Sequence, residues 1–202
     1  MTSGRPGLRE RKKQATRATL SEIALQLALK RGVDNVRVED IAAAADVSPR
    51  TFNNYFPSKE AAIVGNAHER AQQIRSALLS RPSNEPLEDS LRHAVLAGFP
   101  ESPDRRWTAR IMLLRDAPAL LGEQRKADLE VERVLTWAIA ERMGIDPRKD
   151  LYPSVRAAAL VAAVRAAVLF WLDASSKKST LHRTLEQALG QVLPSSQGRF
   201  SR

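Results

Sequence analysis

Apolar residues recur in this chain at the spacing of a helix face and almost nowhere at the spacing of a strand. Leu20, Ile23, Ala24 and Leu27 fall at i, i+3, i+4 and i+7, one side of a 3.6-residue turn. Alternation of β-branched residues is brief wherever it occurs, as at Val36–Val38, and no internal repeat is evident. The expectation is an all-α fold. Gly32 follows Lys30 and Arg31, an ending for the first helix. A second helix is expected over 38–45. A third starts at Pro49 with Ser48 as its N-cap, proline being tolerated where no N–H is needed. Pro57 ends it, and Ser58 caps a fourth that runs through Leu79. After the break at 81–86, helices are expected near 87–99, 103–116, 118–143, 150–174 and 179–193, about nine in all, with prolines at or near their joints. This gives a three-helix unit at 1–57, a larger bundle at 58–193 and a loose tail at 194–202.

Composition narrows the classes of function. The 202 residues allow one domain or two small ones. Hydrophobic residues at 43% and charged residues at 27% are values of a soluble globular protein. With no cysteine, disulfides, thiolate metal sites and cysteine nucleophiles are excluded. His68, His93 and His182 are scattered, so no metal site is expected. The formal charge of +9 points to a polyanion, nucleic acid before a membrane surface. The basic N-terminus has no apolar stretch of the kind a secretory signal needs. The most apolar stretch, Ala157–Leu172, is short for a spanning helix and has Arg165 in its middle. It reads as a buried helix, and the location as cytoplasmic, at the nucleoid when DNA-bound.

The first sixty residues hold the informative pattern. A short helix at 38–45, the turn Asp46-Val47-Ser48 and a short helix at 49–56 have the layout of a helix-turn-helix. Ile41, Val47 and Phe52 can pack the inner side, while Ala42 and Ala45 allow close approach. Asp46 stands where such a turn wants a left-handed residue, and aspartate tolerates that conformation better than most. The outer side of the second helix carries Arg50, Thr51, Asn53, Asn54 and Tyr55, residue types that read base edges or hold phosphates. Around it lie Arg9, Arg11, Lys12, Lys13, Arg17 and Lys59; residues 1–31 carry eight basic and two acidic residues. Each feature alone has a bland reading, a solvated arm or an ordinary bundle corner; their coincidence within sixty residues favours DNA.

The stretch RATLSEIALQLALKRGVDNVRVEDIAAAADVSPRTFNNYFPSKEAAI strongly resembles the DNA-binding domain of TetR-family regulators, over about residues 10–65. The resemblance implies a homodimeric transcription factor, usually a repressor, which a small molecule in the C-terminal domain releases from an inverted-repeat operator. By position, Pro49–Tyr55 corresponds to the recognition helix. Thr51, Asn53 and Asn54 are then candidate base readers, Arg50 reads guanine or holds a phosphate, and Arg11, Lys12, Tyr55 and Lys59 hold phosphates. Arg37 departs from the family, which often has threonine or serine there; arginine can bind phosphate but cannot make that helix cap.

The rest of the chain carries no comparable motif. Phe99, Trp107, Met112, Leu113, Trp137 and Phe170 are bulky apolar residues for a core or an effector cavity. Arg110 lies three residues after Trp107 and one turn before Leu114, and Arg165 has Val161, Leu169 and Leu172 on its side. A buried arginine needs an anionic partner: an internal one such as Glu130, Glu132 or Asp173, or the head group of an acidic ligand; a surface location is the remaining reading. The chain is also similar to a TetR branch with an acyl-CoA-like ligand-binding domain, so the effector is an acyl-CoA-like molecule or a hydrophobic drug-like compound. From the same resemblance, the last two long helices form the dimer, through Leu160, Val164, Leu181, Leu185 and Leu189, with packing inside the subunit as the competing reading. No cofactor is expected. No phosphate loop, HExxH or GxSxG occurs, which argues against an enzyme. A non-specific architectural DNA-binding protein accounts for the charge but not for the polar recognition face.

Overall fold

The computed structural model describes residues 8–65, 67–173 and 179–193; the tail expected at 194–202 lies outside them. Among the described residues there are ten α-helices, one 3₁₀ turn at Pro118–Leu120 and no strand. The chain divides into two compact units: Met1–Asn66 with Ala109–Lys126, and Ala67–Thr108 with Ala127–Arg202.

The first unit is built on α1 (Leu8–Arg31), α2 (Val38–Ala44), α3 (Pro49–Asn53) and α4 (Lys59–Val64). Arg9, Arg11, Lys12, Lys13 and Arg17 all lie on α1, so the basic run within the described residues is helical rather than a loose arm. Gly32 ends α1 at φ +81°, its N–H donating to the Ala28 carbonyl at 2.9 Å. Leu20, Ala24, Leu25 and Ala28 are buried, whereas Ile23 and Leu27 are only half-buried, so the inward stripe is turned by about one residue from the expected one. α1 packs on α2 and α4. Ser58 caps α4, accepting from the Ala61 N–H at 3.1 Å.

The expected fourth helix does not continue to Leu79. It stops at Val64, and α5 (Ala67–Leu79) starts afresh. Gly65 adopts φ +74° and ψ −142°, a conformation left almost entirely to glycine. A Cβ there would lie 2.4 Å from Ser21 Oγ on α1. Ser21 is buried and donates to the Ala62 carbonyl at 2.9 Å. The break therefore comes from packing rather than helix propensity, where a single glycine costs only about 1 kcal/mol.

The second unit contains α5, α6 (Leu87–Leu96), most of α8 (Leu121–Met143), α9 (Tyr152–Asp173) and α10 (Leu181–Val192). Ile74, Leu78, Leu91, Val95, Leu135, Ile139, Leu160 and Leu189 share one core. Arg142 stitches the α5–α6 joint: it donates to the carbonyls of Leu78, Arg81, Pro82 and Glu85 and to Ser90 Oγ, at 2.7–3.4 Å. Beside it, Glu85 accepts from Arg81 Nε at 2.7 Å and from Ser90 Oγ at 2.6 Å. The bond from Arg81, then that from Ser90, holds the Glu85 carboxyl down at about 2.

By length and composition alone α9 could cross a membrane, its most apolar window having a mean hydropathy of 1.9. One face of it is buried in the unit core, through Ala157, Leu160, Val161, Ala167 and Val168. Val155, Ala158, Ala162, Ala166 and Phe170 on another face are exposed. The reading of Ala157–Leu172 as a buried helix thus holds for one side only.

Candidate nucleic-acid interface and effector residues

A five-residue helix has too few internal hydrogen bonds to stand alone, so α3 is held by its surroundings. Asp46 takes φ +54° in the turn before it, as the sequence suggested. Ser48 Oγ accepts from the Thr51 N–H at 3.0 Å, with Pro49 in the first turn. Inward, Phe52 and Phe56 are fully buried with ring centroids 5.8 Å apart; each contributes about 1.5–3 kcal/mol by leaving water. Ile41 and Ala42 of α2 are buried too, while Val47 and Ala45 are only half-buried.

Sequence reasoning counted Arg17 only as one of several basic residues. The structure gives it a particular task. Its guanidinium carbon lies 4.1 Å from the centre of the Phe56 ring, and Nη1 donates to the Tyr55 carbonyl. A cation on α1 thus grips the chain just past the C-terminal end of α3, where cations are favoured. The partners are 38 residues apart, and no local pattern announces such a contact.

Outward, Arg50, Asn53 and Asn54 are exposed. Thr51 and Tyr55 are half-buried, and the Thr51 hydroxyl lies 2.9 Å from Ser48 Oγ. These side chains share one short segment, the size of element that enters a major groove. Arg11 and Lys12 are exposed on α1. Arg37 precedes α2 and makes no side-chain cap; instead Asp40 accepts from its backbone N–H at 3.1 Å. Lys59 is placed differently from a free phosphate-holding lysine. Its Nζ donates to the carbonyls of Val33 at 2.9 Å and Asp34 at 3.4 Å, and it lies 3.9 Å from Glu60.

The effector candidates do not gather in one unit. Arg110, Met112 and Leu113 belong to the first, on α7 (Arg105–Asp116). Phe99, Trp107, Trp137, Arg165 and Phe170 belong to the second. Trp107 meets Trp171 edge-on at 6.1 Å, and Phe99 packs against the unit core. Met112, Trp137 and Phe170 are exposed. Arg165 takes the surface location among the readings above: its side chain is 56% exposed and pairs with Asp128 at 3.3 Å, rather than with Glu130, Glu132 or Asp173. Arg110 has most of its surface covered; Nη2 donates to the Val64 carbonyl at 2.8 Å. Burial, with no charged neighbour contributing, lowers its pKa.

The residues expected at the dimer also pack within the subunit. Leu160, Leu181, Leu185 and Leu189 are fully buried within the subunit, and Val164 is half-buried against the same core. They pack α9 and α10 inside the chain, the competing reading of that leucine stripe. A stripe at i, i+4 and i+8 does not say whose helix it meets.

Comparison with known proteins agrees with the geometry. Residues 20–62 match the model of bacterial regulatory proteins of the tetR family, and residues 85–197 match that of the MftR C-terminal domain. The HTH-type transcriptional regulator TcmR of Streptomyces glaucescens is 34% identical over 202 residues, covering 96% of this chain and 89% of TcmR. The fold is similar to that of SmeT in its triclosan complex (TM-score 0.61, 20% identity, 89% of this chain and 90% of the other). It is similar also to Thermus thermophilus FadR with lauroyl-CoA (TM-score 0.52, 23% identity, 92% and 96%). With a family model over more than half of its length and a relative above 30% identity along nearly all of it, the chain belongs to the TetR family of bacterial DNA-binding transcriptional regulators and is not an enzyme.

Proposed function

We propose that the chain acts as a homodimeric repressor on a near-palindromic operator in the cytoplasm, released by an apolar or amphipathic small molecule. The observation that carries the DNA half is the division of labour in α3: Phe52 and Phe56 fix the helix from inside, and Arg50, Asn53 and Asn54 face solvent. Arg50, Thr51, Asn53 and Asn54 are assigned to base edges. Tyr55, Arg37, Arg11 and Lys12 are assigned to phosphates, which set affinity and its salt dependence without reading sequence. Lys59 supports the turn before α2 and adds positive potential. Two such heads related by a two-fold axis fit half-sites about one helical turn apart.

The dimer is assigned to the outer face of α9, where Val155, Ala158, Ala162 and Ala166 form a small-residue strip ending at Phe170. That face replaces the buried leucines as the candidate interface. Bound triclosan and lauroyl-CoA in structurally similar proteins support an apolar or amphipathic effector. The domain boundaries proposed are 1–57 for reading DNA and 58–193 for effector and dimer. An effector favouring one arrangement of the dimer over another releases DNA through that difference alone.

Selection from a randomised duplex pool by the purified protein, at about 150 mM salt where non-specific binding is weak, tests this reading. An enriched inverted repeat is the expected result. Binding without enrichment would instead identify an architectural DNA-binding protein.

A further inference from the structure

Arg110 is a covered cation with no anion beside it among the described residues. Its Nη2 donates to the last carbonyl of α4, that of Val64. Its Nε is buried and, among the described residues, meets no acceptor. Other arginines differ: Arg75, Arg81, Arg115, Arg133 and Arg165 each pair with a carboxylate, and Arg142 is saturated by backbone oxygens and Ser90. A guanidinium taken out of water without a counter-charge costs several kcal/mol, and an idle buried donor adds to that cost. Gly65 allows this approach, since a Cβ there would stand 3.2 Å from Nη2.

We propose that Arg110 is the counter-charge for the acidic group of an amphipathic effector, a carboxylate or phosphate seated on its Nε–Nη2 edge. A guanidinium offers two parallel donors along that edge, matched to two oxygens of either acid. Ile111, Leu113 and Leu114, its half-buried neighbours along α7, supply apolar surface for the rest of the molecule. The anion takes the idle Nε–H and contends with Val64 for Nη2. Because α4 ends at Val64 and packs on α1, occupancy is felt at the helix that bears Arg17.

The inference rests on the effector reading above, and its test uses no DNA, so its failure and that of operator binding are separable. Calorimetric titration of the full chain uses decanoate, decyl phosphate and decanol as probes. At least one acid is expected to bind, about 10-fold or more tighter than decanol, the effect of a charge-assisted hydrogen bond. Decanoate alone would assign a carboxylate ligand, and decyl phosphate alone a phosphate. Arg110→Met is expected to lose the preference for acid while melting no lower than wild type, because it removes an uncompensated charge. Should that variant not fold, Arg110→Gln keeps a donor for Val64 and removes the charge. Absence of binding by both acids, equal binding of decanol, or wild-type acid affinity in the folded variant would each overturn the proposal.

Discussion

Replacing Gly65 by alanine forces two adjustments at once. The backbone must hold φ +74° and ψ −142° with a Cβ present, at about 1–3 kcal/mol. The new methyl would sit 2.4 Å from Ser21 Oγ, so the hydroxyl must turn away from the Ala62 carbonyl it now meets at 2.9 Å. Loss of that buried bond costs about 1–3 kcal/mol. The total, about 2–6 kcal/mol, is a large part of an ordinary stability of about 5–15 kcal/mol. At about 2–4 °C per kcal/mol for a chain of this size, the melting temperature falls by roughly 4–24 °C. Thermal unfolding followed by circular dichroism reads it. A double-mutant cycle with Ser21→Ala separates the causes: without the hydroxyl, the overlap with Ser21 vanishes, leaving the backbone strain and the 3.2 Å approach to Arg110 Nη2. The double variant is then expected to fall short of the summed single effects by about 1–3 kcal/mol, within the range for contacting residues. A Gly65→Ala protein within about 1 kcal/mol of wild type, or strict additivity in the cycle, would refute the account of why α4 stops where it does.

Three other outcomes are expected. Asn54→Ala relaxes sequence choice at one or two operator positions by about 1–3 kcal/mol; equal loss on every duplex in a competition assay removes Asn54 from base reading. Arg17→Met weakens all duplexes alike and lowers the melting temperature, because it loosens the chain after α3 rather than a base contact; a changed operator preference in repeated selection would contradict that role. Glu85, at about 2 in the folded chain against 4.5 unfolded, stabilises the fold fully above pH 4.5. That contribution fades as pH falls through about 2. Glu85→Gln therefore flattens the melting temperature between pH 5 and 2, and a wild-type slope in the variant would sink the assignment.

The features legible in the sequence were those decided within a few residues. Ser48 with Pro49, Ser58, Gly32 and Asp46 each announced a cap or turn through their own chemistry, and each stands as expected. What stayed hidden was decided across the chain. The stop at Gly65 depends on Ser21, forty-four residues earlier, and the Arg17 grip on Phe56 and Tyr55 closes a similar distance. The sequence leaves Arg165 open between a buried and a surface place because α9 is apolar on both its buried and its exposed sides, so periodicity gives no phase. The leucines of α10 lie on its buried face, and their spacing does not say whether the helix they meet belongs to the same chain or to a partner.

The way α3 is secured bears on how such a regulator changes its target during evolution. Phe52 faces inward, Ser48 and Arg17 hold the two ends, and none of these positions overlaps Arg50, Asn53 or Asn54. Among the described residues the three exposed side chains enter no hydrogen bond or ion pair that the fold depends on. A lineage can thus trade one operator for another through substitutions at these three sites, and duplicated copies can diverge in target while their scaffold stays nearly unaltered.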